Sequence, residues 1–313
     1  MALPPWFYGL IGVVAFSGTL PATRLALPAF GPVTVGLGRA VVAGVVAAAV
    51  LLICRAPWPR SDQWWRLGVV ALGVVVGFPI LSAFALQVVG ASHGAILVGL
   101  MPVATAVVAA VRIMERPGRL FWVASLAGTA MVIGFALASG AGSLRPADLL
   151  LLGAVLSAAI GYADGAVVAR VMPGWQVISW ALVLSLPVLV PVCAVGLLVR
   201  PPESPGVSAW LGLGYVALFS MFLGFLAWYH AMARGGVARV GQLQLVQPIF
   251  TLLWAAMLLG EHFGAGTVLT AIGVLACTAA TQRTRAPRPE TQLMEVTADV
   301  PRPDGAAGAA RAR

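Results

Sequence analysis

Lysine is absent from this chain, and charged residues of every kind are scarce. All 19 basic residues are arginines, and only 9% of the 313 residues carry a charged side chain. Soluble domains have about 25% charged residues. A water-soluble protein of this length could not cover its surface with so few ionic groups. The shortage of charge therefore excludes a soluble globular protein.

Cysteine is scarce as well. Cys54, Cys193 and Cys277 show no CxxC spacing and have no neighbouring cluster of histidines or carboxylates. This pattern indicates neither a disulfide framework nor a metal site, and we interpret the three cysteines as small apolar residues. We expect the chain to carry no metal and no cofactor.

The sequence contains apolar runs of roughly 20 residues, and the short links between them contain most of the charged residues. A helix of that length crosses a hydrocarbon core about 30 Å thick. We predict an all-α membrane protein with ten transmembrane helices, called spans one to ten, at residues 6–24, 32–54, 66–87, 91–112, 119–138, 148–169, 176–199, 208–230, 238–259 and 265–282. Residues 283–313 lack apolar periodicity, and we predict a disordered cytoplasmic tail there.

An internal repeat relates the two halves of the chain. Residues 99–115 (GLMPVATAVVAAVRIME) align without gaps with residues 245–261 (LVQPIFTLLWAAMLLGE), at an offset of 146 residues. The matches include Pro102 with Pro248, Thr105 with Thr251 and Glu115 with Glu261. Because each half contributes five spans, an odd number, the two copies cross the membrane in opposite directions. We predict two inverted five-helix repeats, at residues 1–140 and 146–282.

The arginines indicate the orientation of the chain. If the amino terminus is cytoplasmic, 15 arginines lie in cytoplasmic segments, and only Arg24, Arg145 and Arg200 lie in outer segments. Cytoplasmic loops of membrane proteins carry this excess of positive charge, so we place both termini in the cytoplasm and the protein in the plasma (bacterial inner) membrane. The net charge of +9 then reflects topology and contact with the lipid bilayer, and nucleic acid is not an expected partner.

These features together resemble an EamA-type member of the drug/metabolite transporter superfamily. The resemblance rests on the ten spans, the five-plus-five repeat, FSGTLPATRLAL at residues 16–27, and the Pro…Glu pattern of spans four and nine. It covers residues 6–282 and implies a ten-helix bundle that moves small metabolites, often by export. It also implies a central cavity lined by spans one, three, four, six, eight and nine.

Polar residues of span nine identify a candidate solute site. Gln244, Gln247 and Thr251 have the spacing i, i+3, i+7 and predict one polar helix face. The corresponding face of span four, with Met101 and Thr105, is mostly apolar. We predict that these five residues bind substrate. One polar wall and one apolar wall suit an amphipathic solute such as an amino acid or a related compound.

Pro102 and Pro248 lie near the middle of spans four and nine. Proline inside a helix frees the carbonyl four residues earlier, here that of Val98 and that of Gln244. A free carbonyl at this depth must face protein or a wet cavity. Two interpretations of the prolines stay open, a packing kink and a hinge used in gating.

Two charged residues lie inside predicted spans. Asp164, in span six, is the only carboxylate well within a span, and we consider it the candidate for proton coupling, with a structural ion pair as the alternative. Arg39, in span two, is the candidate for contact with an anionic group or with backbone carbonyls.

Other function classes fit the sequence less well. An intramembrane serine protease needs Ser and His facing each other inside the bundle. Ser17 lacks the glycine two residues earlier that such enzymes show, and none of the three histidines is clearly mid-span. We therefore predict a carrier and not an enzyme, working by alternating access and able to act as a monomer. A channel and a non-transporting scaffold are the alternatives.

Overall fold

The structure, a computed structural model, describes residues 3–115, 117–138 and 146–260, together with residues 273, 276, 277 and 280. The regular secondary structure in these ranges is helical, and no strand occurs in them. Six described segments are long and apolar enough to cross a membrane: Pro5–Ile53, Trp64–Ala85, Pro146–Val168, Gly174–Val199, Val207–Gly235 and Val237–Leu259. The prediction of an all-α membrane protein is confirmed. The predicted span ten, apart from isolated positions, and the predicted tail lie outside the described residues.

The helices follow the predicted spans in order. Those of the first half are Pro5–Ser17, Thr19–Val33, Thr34–Gly38, Arg39–Ile53, Trp64–Val70, Ala71–Gly77, Phe78–Ala85, Ala91–Val98, Met101–Arg112 and Arg119–Ala138. Those of the second half are Pro146–Val168, Gly174–Val199, Val207–Gly214, Tyr215–Leu223, Gly224–Gly235, Val237–Gly241, Gln242–Val246 and Gln247–Leu259. Three short elements are π-helical (Thr34–Gly38, Ala71–Gly77 and Tyr215–Leu223), and Gln242–Val246 is a 3₁₀ helix.

A glycine divides the first apolar segment. Pro5–Ile53 is 49 residues long, which as one straight helix is about 74 Å, more than twice the hydrocarbon thickness. The helix breaks at Gly31, where φ is +70° and ψ is 169°. Residues with a Cβ rarely adopt this conformation, whereas glycine adopts it readily. The break separates the segments predicted as spans one and two.

Spans three and eight carry matching irregularities. The offset of 146 residues maps the π-helical segment Ala71–Gly77 onto residues 217–223, inside the π-helical segment Tyr215–Leu223. The same part of each half is therefore wound more loosely than an α-helix. Such π-helical insertions in α-helices occur frequently at functional sites.

Spans four and nine are each interrupted just before their proline. Pro102 lies in the first turn of Met101–Arg112, and Pro248 lies in the first turn of Gln247–Leu259. At that position a helix does not need the backbone N–H that proline lacks. The Gln244 carbonyl accepts the N–H of Gln247. The prediction of a free Gln244 carbonyl is therefore wrong, because the 3₁₀ turn before the proline supplies a donor.

Spans four and nine meet end to start. The Glu115 carboxylate accepts the backbone N–H of Val237 at 2.9 Å and that of Ala238 at 2.8 Å. Gly236 precedes them with φ at +82°, a left-handed turn that glycine makes without strain. Val237–Gly241 also packs against Met101–Arg112. The start of span nine thus lies at the end of span four, and the two spans run in opposite directions. Glu261, the repeat counterpart of Glu115, lies outside the described residues.

Candidate functional site

A cavity lies between helices of both halves. Its polar wall consists of Thr19, Arg39, Tyr162, Ser220, Gln244 and Gln247. Its apolar wall consists of Phe16, Val74, Phe78, Met101, Ala158, Met221 and Phe225. All six spans that the family resemblance implies contribute residues to the lining of this cavity, and span two adds Arg39.

The repeat offset relates residues across this cavity. Three pairs of lining residues are 146 positions apart: Phe16 with Tyr162, Val74 with Ser220, and Met101 with Gln247. In every pair the residue of the first half is apolar, and the residue of the second half has a hydrogen-bonding group. Equivalent positions of the two halves therefore meet at one place, and the wall that they form is chemically asymmetric.

Gln244 and Gln247 line the cavity as predicted by the polar stripe, but Thr251 lies to one side of it. The 3₁₀ segment before Pro248 turns about 120° per residue instead of about 100°. Gln244 and Gln247 are therefore in line along the helix, and Thr251 is about 40° away. Its hydroxyl lies 2.9 Å from the carbonyl oxygen of Ser17 and 3.0 Å from that of Gln247, so it faces span one.

Met101 and Thr105 also separate. Met101 lines the cavity, whereas Thr105 is fully buried and faces the start of span nine. A Cβ added at Gly241 would lie 3.0 Å from the Thr105 Cγ2, so the two helices approach closely at this glycine. The structure thus brings Met101, Gln244 and Gln247 together and places Thr105 and Thr251 in the packing behind them.

Several lining residues escaped sequence reasoning because they are apolar or aromatic residues in apolar helices. Phe225 packs against Phe16 with ring centroids 4.7 Å apart and against Tyr162 at 6.0 Å.

The hydroxyls of Thr19 and Ser220, 2.7 Å apart, join spans one and eight. The one sequence signal for these residues was the repeat offset of 146, because residues that it pairs line the same cavity.

Arg39 is 1% exposed and borders the cavity. Its Nε donates to the Gly36 carbonyl over 3.3 Å, which is the carbonyl contact expected from the sequence. Its Nη2 is buried and has no hydrogen-bond partner in the part of the chain that the structure describes. Among the described residues that line the cavity, none is a carboxylate that could balance this charge.

Asp164 lies outside the cavity wall. Its Oδ1 accepts a hydrogen bond from Arg66 Nη1 at 2.7 Å, and its Oδ2 accepts one from Arg112 Nε. The Asp164 side chain is fully buried, and the two arginine side chains are 28% and 37% exposed. The three residues tie the start of span three and the end of span four to span six. Tyr162 is about 200° away around the helix and faces the cavity instead.

Comparisons with known proteins agree with this architecture. The model of the EamA-like transporter family matches residues 4–139 and again residues 145–281. The chain is 48% identical to the "Uncharacterized transporter YdeK" of Bacillus subtilis (strain 168), over 89% of this chain and 96% of that relative. It is 29% identical to a "Probable terminal-alkyne amino-acid exporter" of Streptantibioticus cattleyicolor, over 80% of this chain and 84% of that relative.

A solved structure described as "Crystal structure of protein" has the same fold. It superposes with a TM-score of 0.71 over 89% of this chain and 98% of that chain, at 18% identity. Since the family model matches both halves, and a cavity lies between helices of the two halves, the chain belongs to the EamA-like transporter family and is a membrane transporter.

Proposed function

We propose that this transporter exports small amphipathic metabolites, amino acids or related compounds, across the bacterial inner membrane by alternating access. The observation that carries the proposal is the meeting of Phe16 with Tyr162, Val74 with Ser220 and Met101 with Gln247 at one cavity. Alternating access needs a single site near the axis that relates two similar bundles. Equivalent residues of both halves converge only near such an axis.

The proposed architecture is ten transmembrane helices in two inverted repeats of five. The antiparallel contact between the end of span four and the start of span nine supports it, because these two spans are repeat counterparts. The matching π-helical segments of spans three and eight support it as well. In this arrangement both termini are cytoplasmic, as the distribution of arginines predicts.

The chemistry of the cavity supports an amphipathic solute. Gln244 and Gln247 offer hydrogen bonds, and Met101 offers an apolar surface to the same cavity. The name of the Streptantibioticus relative, an amino-acid exporter, supports the same solute class and the same direction. In the proposed site these three residues contact the solute, and Thr105 and Thr251 hold the walls in position. Pro102 and Pro248 lie where spans four and nine are interrupted, and in the proposed cycle these interruptions are the points at which the two spans bend.

Proton coupling, if the cycle uses it, is proposed to run through Asp164. The buried carboxylate holds Arg66 and Arg112 at one end of the bundle. Protonation of Asp164 would remove the charge that attracts both guanidinium groups and would free the adjacent ends of spans three and four. Binding of a proton to Asp164 would thus open the end of the bundle at which Arg66 and Arg112 lie.

The experiment compares metabolite release from cells that express the protein and cells with the empty vector. Cells are preloaded with labelled L-leucine, L-methionine or L-phenylalanine, and the label in the medium is measured with time. The proposal predicts faster release of at least one of these amino acids from expressing cells. Equal release of all three from both strains would contradict amino-acid export.

A further inference from the structure

The geometry points to Arg39 as the residue that binds the carboxylate of the transported solute, with Gln244 and Gln247 binding its amino group. This inference rests on the proposed function and adds the orientation of the solute. It concerns a zwitterionic α-amino acid whose side chain is apolar.

The charge of Arg39 is unpaired among the described residues. A guanidinium group has five N–H donors and cannot accept a hydrogen bond. Arg39 is 1% exposed, and within the described residues it makes one long hydrogen bond, from Nε to the Gly36 carbonyl, while Nη2 has no partner among them. A buried cation without a counter-charge is costly, so its retention beside a cavity indicates a ligand that supplies the missing charge.

The carboxylates buried in the described part of the chain bind other residues. Asp164 is held by Arg66 and Arg112, and Asp148 lies 2.6 Å from His93. Neither lines the cavity. The solute therefore brings the negative charge, and a carboxylate matches the planar fork of a guanidinium group with two parallel hydrogen bonds.

The two glutamines of span nine offer the opposite hydrogen-bonding group. The Oε1 atoms of Gln244 and Gln247 are buried acceptors that have no donor among the described residues. The cavity thus contains an unused donor at Arg39 and two unused acceptors on span nine. A ligand that satisfies all three carries an anionic acceptor and an N–H donor, as the two ends of an amino-acid zwitterion do.

The remaining residues that line the cavity are mostly apolar. Val74, Phe78, Met101 and Phe225 border the same space and offer no hydrogen bond from their side chains. These side chains suit the side chain of leucine and disfavour a charged one, because burial of an unpaired charge is costly. An inorganic anion would satisfy Arg39 but would leave this surface and both glutamines without a partner.

The test compares L-leucine with L-leucinamide, in which a neutral amide replaces the carboxylate. Binding of both probes to the purified protein, and their transport in proteoliposomes, are measured for the wild type and for Arg39→Gln. The wild type should prefer leucine. Arg39→Gln should weaken leucine binding by roughly 10- to 150-fold, the effect of losing a hydrogen bond to a charged group. Its binding of leucinamide should change little.

Arg24→Gln is the matched control. Arg24 is also in the first helices, but it donates to the Leu86 carbonyl and does not line the cavity. This variant should keep the preference for leucine. If Arg39→Gln does not fold, Arg39→Lys decides: retained preference for leucine supports the inference, and equal binding of both probes by this variant overturns it.

The outcomes separate the two proposals. If the wild type transports both probes equally, and Arg39→Gln does the same, the carboxylate role of Arg39 is overturned and amino-acid transport stands. If the wild type neither binds nor transports leucine or leucinamide, amino-acid transport fails, and the role of Arg39 fails with it.

Discussion

Gln247 and Met101 occupy equivalent positions in the two halves and line the same cavity. The Oε1 atom of Gln247 is buried and has no donor within the described part of the protein. An unsatisfied buried acceptor costs about 1–3 kcal/mol, so a solute that donates to it gains a comparable amount. The residue is therefore expected to contribute to solute affinity more than the packed threonines behind it.

Gln247→Ala should weaken leucine binding to the purified protein by roughly 5- to 150-fold, because one solute hydrogen bond is lost. Thr251→Val is the matched control, since it removes a hydroxyl on the same helix that faces Ser17 and not the cavity. That variant should lose stability and keep its affinity. Equal affinity of Gln247→Ala and the wild type would show that Gln247 does not contact this solute.

Sequence reasoning found polar residues of the site better than apolar ones, for a physical reason. Gln244 and Gln247 stand out in an apolar helix, because an amide at bilayer depth needs a partner. Phe16, Val74 and Phe225 resemble any other apolar residue of a membrane helix, and only the three-dimensional packing distinguishes them. Thr251 was predicted in the site because the helical spacing places it within about 40° of Gln247. Its hydroxyl instead donates to the backbone carbonyls of Ser17 and Gln247, which the spacing alone does not predict.

At the scale of the helices, the 3₁₀ turn before Pro248 determines how the side chains of Gln244 and Gln247 are oriented relative to each other. Alanine at this position would restore a backbone N–H that can reach the Gln244 carbonyl in α-helical geometry. The 3₁₀ turn Gln242–Val246 would then compete with a regular helix, which turns Gln244 away from Gln247.

Pro248→Ala should therefore slow leucine exchange in proteoliposomes several-fold at saturating solute. Pro187→Ala is a suitable control, since Pro187 is also inside a helix, Gly174–Val199, but lies away from the cavity. An unchanged exchange rate in Pro248→Ala would mean that the proline is a packing feature without a role in turnover.

The ion pairs of Asp164 join three helices at one end of the bundle. Removal of one partner from a buried ion pair leaves the others unpaired, which is costly. Because Arg66 and Arg112 are 28% and 37% exposed, water reduces the cost. We expect Asp164→Asn to destabilise the protein by about 1–3 kcal/mol, measured by thermal denaturation in detergent.

The same variant tests proton coupling. Asparagine imitates the protonated carboxyl, so Asp164→Asn should abolish transport driven by a pH gradient and leave leucine counterflow partly intact. Arg60→Gln is a control, because Arg60 forms an exposed pair with Asp62 that belongs to one loop. Unchanged pH-driven transport in Asp164→Asn would exclude Asp164 as the coupling group and leave it a structural role.

At the scale of the whole molecule, composition and the repeat predicted most of the fold. The few charges required a membrane protein, and the offset of 146 residues required two similar halves. The breaks inside spans were less predictable, because the π-helical segments of spans three and eight contain no proline that would indicate them in the sequence. The partners of Asp164 were also not evident, since Arg66 and Arg112 are distant in sequence.

The topology has its own test. In a background without Cys54, Cys193 and Cys277, single cysteines are placed in the segment 139–147 and in the tail 283–313, and cells are treated with a membrane-impermeant thiol reagent. The cysteine in segment 139–147 should label in intact cells, and the tail cysteine only after permeabilisation. Labelling of both from outside would contradict cytoplasmic termini.

The most direct measurement of the central claim is counterflow of labelled L-leucine in proteoliposomes that contain the purified protein. An alternating-access carrier predicts saturable uptake that unlabelled leucine inside the vesicles accelerates, and Gln247→Ala should require a higher leucine concentration for half-saturation. Uptake that rises linearly with concentration and does not respond to internal leucine would indicate a channel. Uptake equal to that of protein-free vesicles would contradict leucine transport altogether.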